Sequence, residues 1–144
     1  MITENESLQI LRFHRYKVTQ PRKLVLQVLE RSTEPLSPYD IQKLLQKKGK
    51  SLNPVTIYRI LNLFCSLDLA HRVLSQGGFV KCTLGEEEGC HLFVIYRRCG
   101  RLQEFVNEVL CQQESEIVEN LGFHTEHHLS EVSGLCSKCR AGEP

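Results

Sequence analysis

The 144-residue chain predicts an α+β protein in two parts, helices closed by a hairpin and then a small α/β unit. Apolar residues recur at helical spacing as far as Leu67, and short apolar runs separated by turn residues follow. Charge divides at about the same place: residues 1–72 hold 12 Lys/Arg against 6 Asp/Glu, residues 73–144 hold 6 against 11. The second half also holds four of the six His and six of the seven Cys. A basic part followed by an acidic part rich in metal-type ligands suggests a polyanion binder joined to a metal site.

Leu8, Ile10 and Leu11 begin a short amphipathic turn that stops near His14–Lys17. Pro21 suits a helix start, and Leu24, Val25, Val28 and Leu29 follow at helical spacing. Residues 34–38 break that helix. Ser37 is then a good N-cap with Pro38 behind it, and Ile41, Leu44 and Leu45 supply a buried face before Gly49. Asn53 and Pro54 open a third full helix. Its core face is Ile57, Ile60, Leu61, Phe64 and Leu67; its other face shows Val55, Tyr58, Arg59, Asn62 and Ser66. Two apolar segments, 69–74 and 79–84, separated by residues 75–78, read as a β-hairpin. That order is winged helix-turn-helix.

Residues 85–89, acidic and bounded by glycines, suggest a hinge between a domain at 1–84 and one at 90–144. Beyond it, strands are expected at 92–96 and 102–106, a helix over about 107–121 ended by Gly122, and a last strand near 125–132. A unit of this size needs a metal or a partner subunit for stability.

With 41% hydrophobic and 24% charged residues the composition is globular. No apolar run approaches the roughly 18 residues of a membrane span. Glu4 and Glu6 stand where a secretory signal would be basic then apolar, so a cytoplasmic protein without a membrane partner is expected. An odd number of cysteines there points to thiolate ligands or redox chemistry rather than disulfides. There is no Gly-x-Ser-x-Gly, phosphate-cradling Gly-rich loop or His-Glu-x-x-His, so an enzyme is not expected.

Three groups of residues carry chemistry. On the third full helix, Arg59 can pair bidentately with a guanine edge, while Val55, Thr56 and Tyr58 suit thymine methyls or phosphates. Lys17, Arg22 and Lys23 can hold phosphates or reach a minor groove. Cys136 and Cys139 have the spacing of half a zinc site, and Cys99 at a tight turn suits a third thiolate. A redox dithiol is the other reading of that pair. The third group is His71, Cys82, His91 and Glu104, a mixed set suited to tetrahedral zinc. His124, His127 and His128 fall on the expected last strand, with His124 and His128 on one face. They read as a second cluster or as a solvated edge.

Lys17–Arg22, with its Thr19-x-x-Arg22, the run Asn53-Pro54-Val55-Thr56-Ile57-Tyr58-Arg59-Ile60-Leu61, and Cys99-Gly100 followed by Glu104-Phe105 together resemble the ferric uptake regulator family of bacterial metal-dependent repressors. The resemblance spans roughly residues 8–139. Residues 69–73, Cys82 and residues 131–136 are most similar to its zinc uptake regulator branch. The resemblance implies a winged-helix domain and an α/β dimerisation domain in a homodimer that binds AT-rich palindromic double-stranded DNA when zinc is bound. It implies a regulatory site of His71, Cys82, His91 and Glu104, with Tyr58 and Arg59 facing bases and Lys17 near the minor groove. Pro35 stands about where the iron-sensing branch carries a His. Tyr96 stands where the family's structural site has a fourth cysteine beside Cys99, Cys136 and Cys139. Cys90 or Cys111 replaces it, a water fills the position, or the site is weak or empty. Phe93 also stands where the family is His-rich, which moves the fourth regulatory ligand to Glu104.

The expected protein is thus a zinc-responsive repressor of metal-uptake genes, with one regulatory zinc per chain and a structural zinc if three cysteines suffice. The alternatives are an iron- or peroxide-responsive regulator of the same family and a metal-buffering module without a DNA role.

Overall fold

The computed structural model describes residues 3–83, 90–125 and 128–142. Its helices start where polar side chains accept backbone N–H groups of the first turn. Helix α1 (Glu4–Phe13) opens with a reciprocal pair: Glu6 N–H donates to Thr3 Oγ1 at 3.3 Å, and Thr3 N–H donates to Glu6 Oε2 at 2.6 Å. It therefore begins four residues before Leu8, earlier than apolar spacing alone indicates. Thr19 caps α2 (Gln20–Arg31), and Ser37 with Asp40 forms a second reciprocal box at α3 (Pro38–Lys47). Asn53 Oδ1 accepts from Val55 N–H at 2.8 Å to open α4 (Pro54–Ser66).

Each helix turns one apolar stripe inward. Leu11, Val25, Leu26, Leu29, Ile41, Leu45, Ile57, Leu61 and Phe64 are buried in one core. Each such side chain contributes about 1.5–3 kcal/mol on leaving water.

The hairpin that follows is shorter than expected. Strands β1 (Ala70–Val73) and β2 (Gly78–Lys81) pair antiparallel, His71 opposite Val80. One 3-10 turn, Leu74–Gln76, joins them and ends at Gly77, whose φ of 64° favours glycine. The hairpin is tied to the loop between α2 and α3. Leu36 N–H donates to Phe79 O at 3.0 Å, Phe79 N–H donates to Leu36 O at 2.8 Å, and the Phe79 ring joins the core.

The chain divides into two compact units, Met1–Gly85 and Glu86–Pro144. The hinge expected at residues 85–89 lies outside the described residues, as does residue 84 at the end of the second hairpin arm. In the second unit, β3 (Cys90–Tyr96) is the central strand, antiparallel to β4 (Leu102–Asn107) and parallel to β5 (Leu129–Gly134). A parallel partner needs a crossover, and α5 (Glu108–Glu119) supplies it. The last strand begins at Leu129, not near residue 125, so His124 and His128 do not share a strand face, and His127 lies outside the described residues. A short helix, α6 (Ser137–Arg140), closes the chain and was not expected. The architecture is the α+β one expected, a winged helix-turn-helix followed by a small α/β unit.

Gly78 lies against that loop. A Cβ on it would stand 2.8 Å from Leu36 N, 2.8 Å from Pro35 C and 2.9 Å from Pro35 Cβ. Gly78→Ala should therefore lower stability by about 1–3 kcal/mol, read as a lower urea midpoint by circular dichroism. An unchanged midpoint would show that the wing is not held there.

Candidate metal centres and nucleic-acid face

On α4 the expected division of faces holds. Ile57, Ile60, Leu61 and Phe64 are buried, while Val55, Thr56, Tyr58, Arg59 and Asn62 are exposed. The Tyr58 ring sits edge-on to Phe79 at 6.3 Å, which steadies its position beside the wing. Lys17 is exposed just before α2. Arg22 Nη1 donates to the Lys17 carbonyl at 2.6 Å, and its guanidinium lies 5.7 Å from the Tyr16 ring centre. One of its five donors thus holds the segment carrying Lys17.

The expected His/Cys/His/Glu set falls half in each unit. In the first, Leu69 pairs with Cys82 just beyond the β1–β2 ladder, so His71 and Cys82 are diagonal neighbours on one face. Both are buried, with donor atoms within 4.8 Å of each other. In the second, β3 and β4 set Phe93 opposite Glu104, which places His91 diagonal to Glu104 on the same face. His91 Nδ1 and Glu104 Oε1 are 2.7 Å apart, and the Glu104 side chain is 3% exposed.

The three expected cysteines also come together. Cys99 Sγ lies 3.4 Å from both Cys136 Sγ and Cys139 Sγ. Cys136 caps α6, accepting from Cys139 N–H at 3.5 Å. That backbone N–H, aided by the Cys99 and Cys139 thiols, holds the Cys136 thiol down to about 7. Sharing with Cys99 and then Cys136 pushes Cys139 up to about 11. Among the described residues no fourth His, Cys, Asp or Glu joins them. Tyr96 is turned to other work: its hydroxyl donates to Gln103 Oε1 at 2.7 Å, and Arg101 lies 4.5 Å from its ring centre.

Neither Cys90 nor Cys111 replaces the missing ligand. Cys90 starts β3 whereas Tyr96 ends it, about 20 Å along the strand. Cys90 and Cys111 instead meet His128, all donors within 4.8 Å of one another. Cys90 Sγ is 3.1 Å from His128 Nδ1 and 3.5 Å from Glu114 Oε2. Burial, with the Cys111 thiol and Glu114 beside it, pushes the Cys90 thiol up. This cluster escapes a sequence reading because it needs the parallel register. His91 opposes Leu129, so the residues preceding each are neighbours. The one local signal was Cys111 and Glu114, three apart on one helix face.

The profile of the ferric uptake regulator family matches residues 14–133. The chain belongs to the ferric uptake regulator family. Its members are regulators of transcription, and the chain is not an enzyme. It is 33% identical over 136 residues to the ferric uptake regulation protein of Legionella pneumophila, covering 94% of this chain and 99% of that one. It is 27% identical over 124 residues to the zinc uptake regulation protein of Escherichia coli K12, covering 85% and 72% respectively. A solved zinc uptake regulator complexed with zinc and DNA superposes with a TM-score of 0.83 at 26% identity, covering 99% of this chain and 98% of that one. Both branches are therefore represented among the relatives.

In the metal-free protein, alkylation of Cys136 by iodoacetamide should rise with pH through a midpoint of about 7, because the thiolate is the nucleophile. Peptide mass spectrometry reads it directly. A midpoint at the ordinary thiol value would show that the three sulfurs are not in contact.

Proposed function

We propose that the chain is a zinc-responsive repressor that binds palindromic operator DNA as a homodimer when metal is bound and controls metal-uptake genes in the cytoplasm. The observation that carries this reading is the donor set. A buried thiol and imidazole in one unit, and an imidazole and a carboxylate in the other, make a mixed S/N/N/O set. Zinc accepts such a set in tetrahedral geometry, whereas sites for harder ions are richer in oxygen. The likeness to a regulator solved with zinc and DNA supports the same branch. The 33% identity to a ferric regulator favours iron, and the thiolate of Cys82 weighs against it.

In this reading residues 1–84 are the DNA-binding domain, 85–89 the hinge and 90–144 the dimerisation and metal-binding domain. Arg59 and Tyr58 read base edges, Val55 and Thr56 meet methyl groups or phosphates, and Lys17 enters the minor groove. Arg22 contacts a phosphate while it holds Lys17 in place. Exposed Phe105, Val109, Ile117, Leu121 and Val132 offer the second unit apolar surface for a second copy of the chain. When bound, zinc supplies a four-coordinate cross-link. His71 and Cys82 then become fixed relative to His91 and Glu104, and the two α4 helices of a dimer keep the spacing of two half-sites. Without that constraint fewer dimers are in the competent arrangement, and apparent affinity falls in proportion. The three cysteines Cys99, Cys136 and Cys139 would hold a structural ion with one position left to a non-protein ligand.

The test is Cys82→Ser, compared with wild type on duplexes that zinc-loaded wild-type protein selects from a random pool. Fluorescence anisotropy should show zinc-dependent affinity for wild type and its loss in the variant, with unchanged far-ultraviolet circular dichroism. A variant that keeps the full zinc dependence would remove Cys82 from the site.

A further inference from the structure

Helices α1, α3, α4 and α5 stop in the same way. A residue just beyond the helix takes a left-handed backbone, its N–H donates to the carbonyl three residues earlier, and the next N–H donates to the carbonyl five residues earlier. That residue is Gly49 after α3, Asp68 after α4 and Gly122 after α5, with φ of 72°, 55° and 66°. Glycine enters this region at no steric cost, and the short Asp side chain can bond locally there. After α1 the residue is Arg15, with φ of 64°. Its N–H donates to Arg12 O at 2.9 Å, and Tyr16 N–H donates to Leu11 O at 2.9 Å. An arginine has no such relief, because its Cβ crowds the carbonyl oxygen that follows. The fold gains little in exchange. Arg15 is exposed, and among the described residues no Asp or Glu pairs with it. A cation suits the C-terminal end of α1, but Arg12 in the last turn already supplies one.

The surroundings supply the reason for an arginine there. Residues 7–29 carry Arg12, Arg15, Lys17, Arg22 and Lys23 and no Asp or Glu. The acids at the start of α1 are engaged elsewhere: Glu6 Oε2 accepts from Thr3 N–H at 2.6 Å, and Glu4 Oε1 accepts from Gln27 Nε2 at 3.1 Å. Arg12, Arg15 and Lys17 stand in solvent, with exposed Phe13 and Tyr16 among them. We propose that Arg15 is a DNA-backbone contact, whose guanidinium binds a phosphate beside the groove that Lys17 enters. The proposal rests on the reading in which Lys17 faces DNA, and it adds a residue to that face. A left-handed residue other than glycine persists where a function maintains it, and a guanidinium fork can hold two phosphate oxygens at once. Phosphate contacts fix position and carry no sequence information directly. Arg15 therefore sets the affinity and its salt dependence, and leaves the choice of operator to α4.

The experiment compares full-length, zinc-loaded wild type with Arg15→Gly, Arg15→Lys and Lys17→Ala. Fluorescence anisotropy over a salt series gives the affinity of each for a duplex that wild type selects from a random pool and for a scrambled duplex. Urea unfolding is followed by circular dichroism. Arg15→Gly should keep or raise the urea midpoint, because glycine relieves the left-handed backbone, and yet bind both duplexes more weakly. Its plot of log affinity against log salt should be shallower by about 0.9 for each chain on the DNA, with the ratio of the two affinities unchanged. Arg15→Lys retains the charge and should retain the slope. A residue that served folding alone would not flatten the salt dependence while leaving stability intact. An unchanged slope or a lowered urea midpoint in Arg15→Gly would overturn the proposal, as would a flattened slope in Arg15→Lys. Lys17→Ala separates the proposal from the reading beneath it. A shallower slope there with an unchanged one in Arg15→Gly would remove Arg15 alone, whereas unchanged slopes in both would remove the whole segment from the DNA.

Discussion

Strand β3 can satisfy both of its neighbours in only one register, because a slip of a single residue exchanges its two faces. The second unit depends on that constraint. In the observed register His91 faces the side on which Glu104 lies, while Cys90 faces α5 and His128. The turn that leaves β3 carries Cys99 to the cysteines around α6. Three groups of candidate ligands are thus positioned from one seven-residue strand. Adjacent residues on it serve opposite faces. The apolar residues Phe93 and Ile95 anchor the register through burial. The candidate donors are therefore held in place by ordinary packing.

In the first unit the corresponding constraint is the bond pair between Leu36 and Phe79. Two backbone hydrogen bonds and one buried ring tie the wing to the entrance of α3. The wing in turn carries His71 on β1 and ends beside Cys82, so this candidate pair inherits its position from that tie. Tyr58 on α4 leans on the same Phe79 ring. The exposed face of α4 and the buried His71 and Cys82 are consequently fixed to one small piece of structure. The net worth of each backbone hydrogen bond is about 1 kcal/mol. Positioning here rests on the combination of those bonds with the burial of Phe79 and the close approach that Gly78 permits.

The parts legible in the sequence were those with local chemical signatures. Helices α3 and α4 each carry a capping Ser or Asn next to Pro, α2 carries Pro21 in its first turn, and the apolar spacing of all three located the core directly. The family resemblance rested on short runs whose residues lie at the start of α2, on α4 and around the Cys99 turn. The start of α1 was missed because its signal is Thr3 with Glu6, before the first apolar residue. Helix α6 was missed because its cap is a cysteine, which a reading for metal ligands assigns to metal alone. The Cys90 cluster was missed for a deeper reason. It joins residues up to 38 apart through a parallel pairing that no local period encodes. Tyr96 stands in the sequence where the family carries a cysteine, and the structure shows its hydroxyl committed to Gln103.

In the proposed function zinc, through a site containing a thiolate, switches DNA affinity. The most direct measurement is duplex-DNA affinity of the wild-type, metal-stripped protein titrated anaerobically with zinc, iron(II) and manganese(II) at matched free concentrations and fixed salt. Zinc should restore tight, sequence-selective binding at free concentrations where iron(II) and manganese(II) do not. Activation by iron(II) alone, or affinity unchanged by stripping, would contradict it.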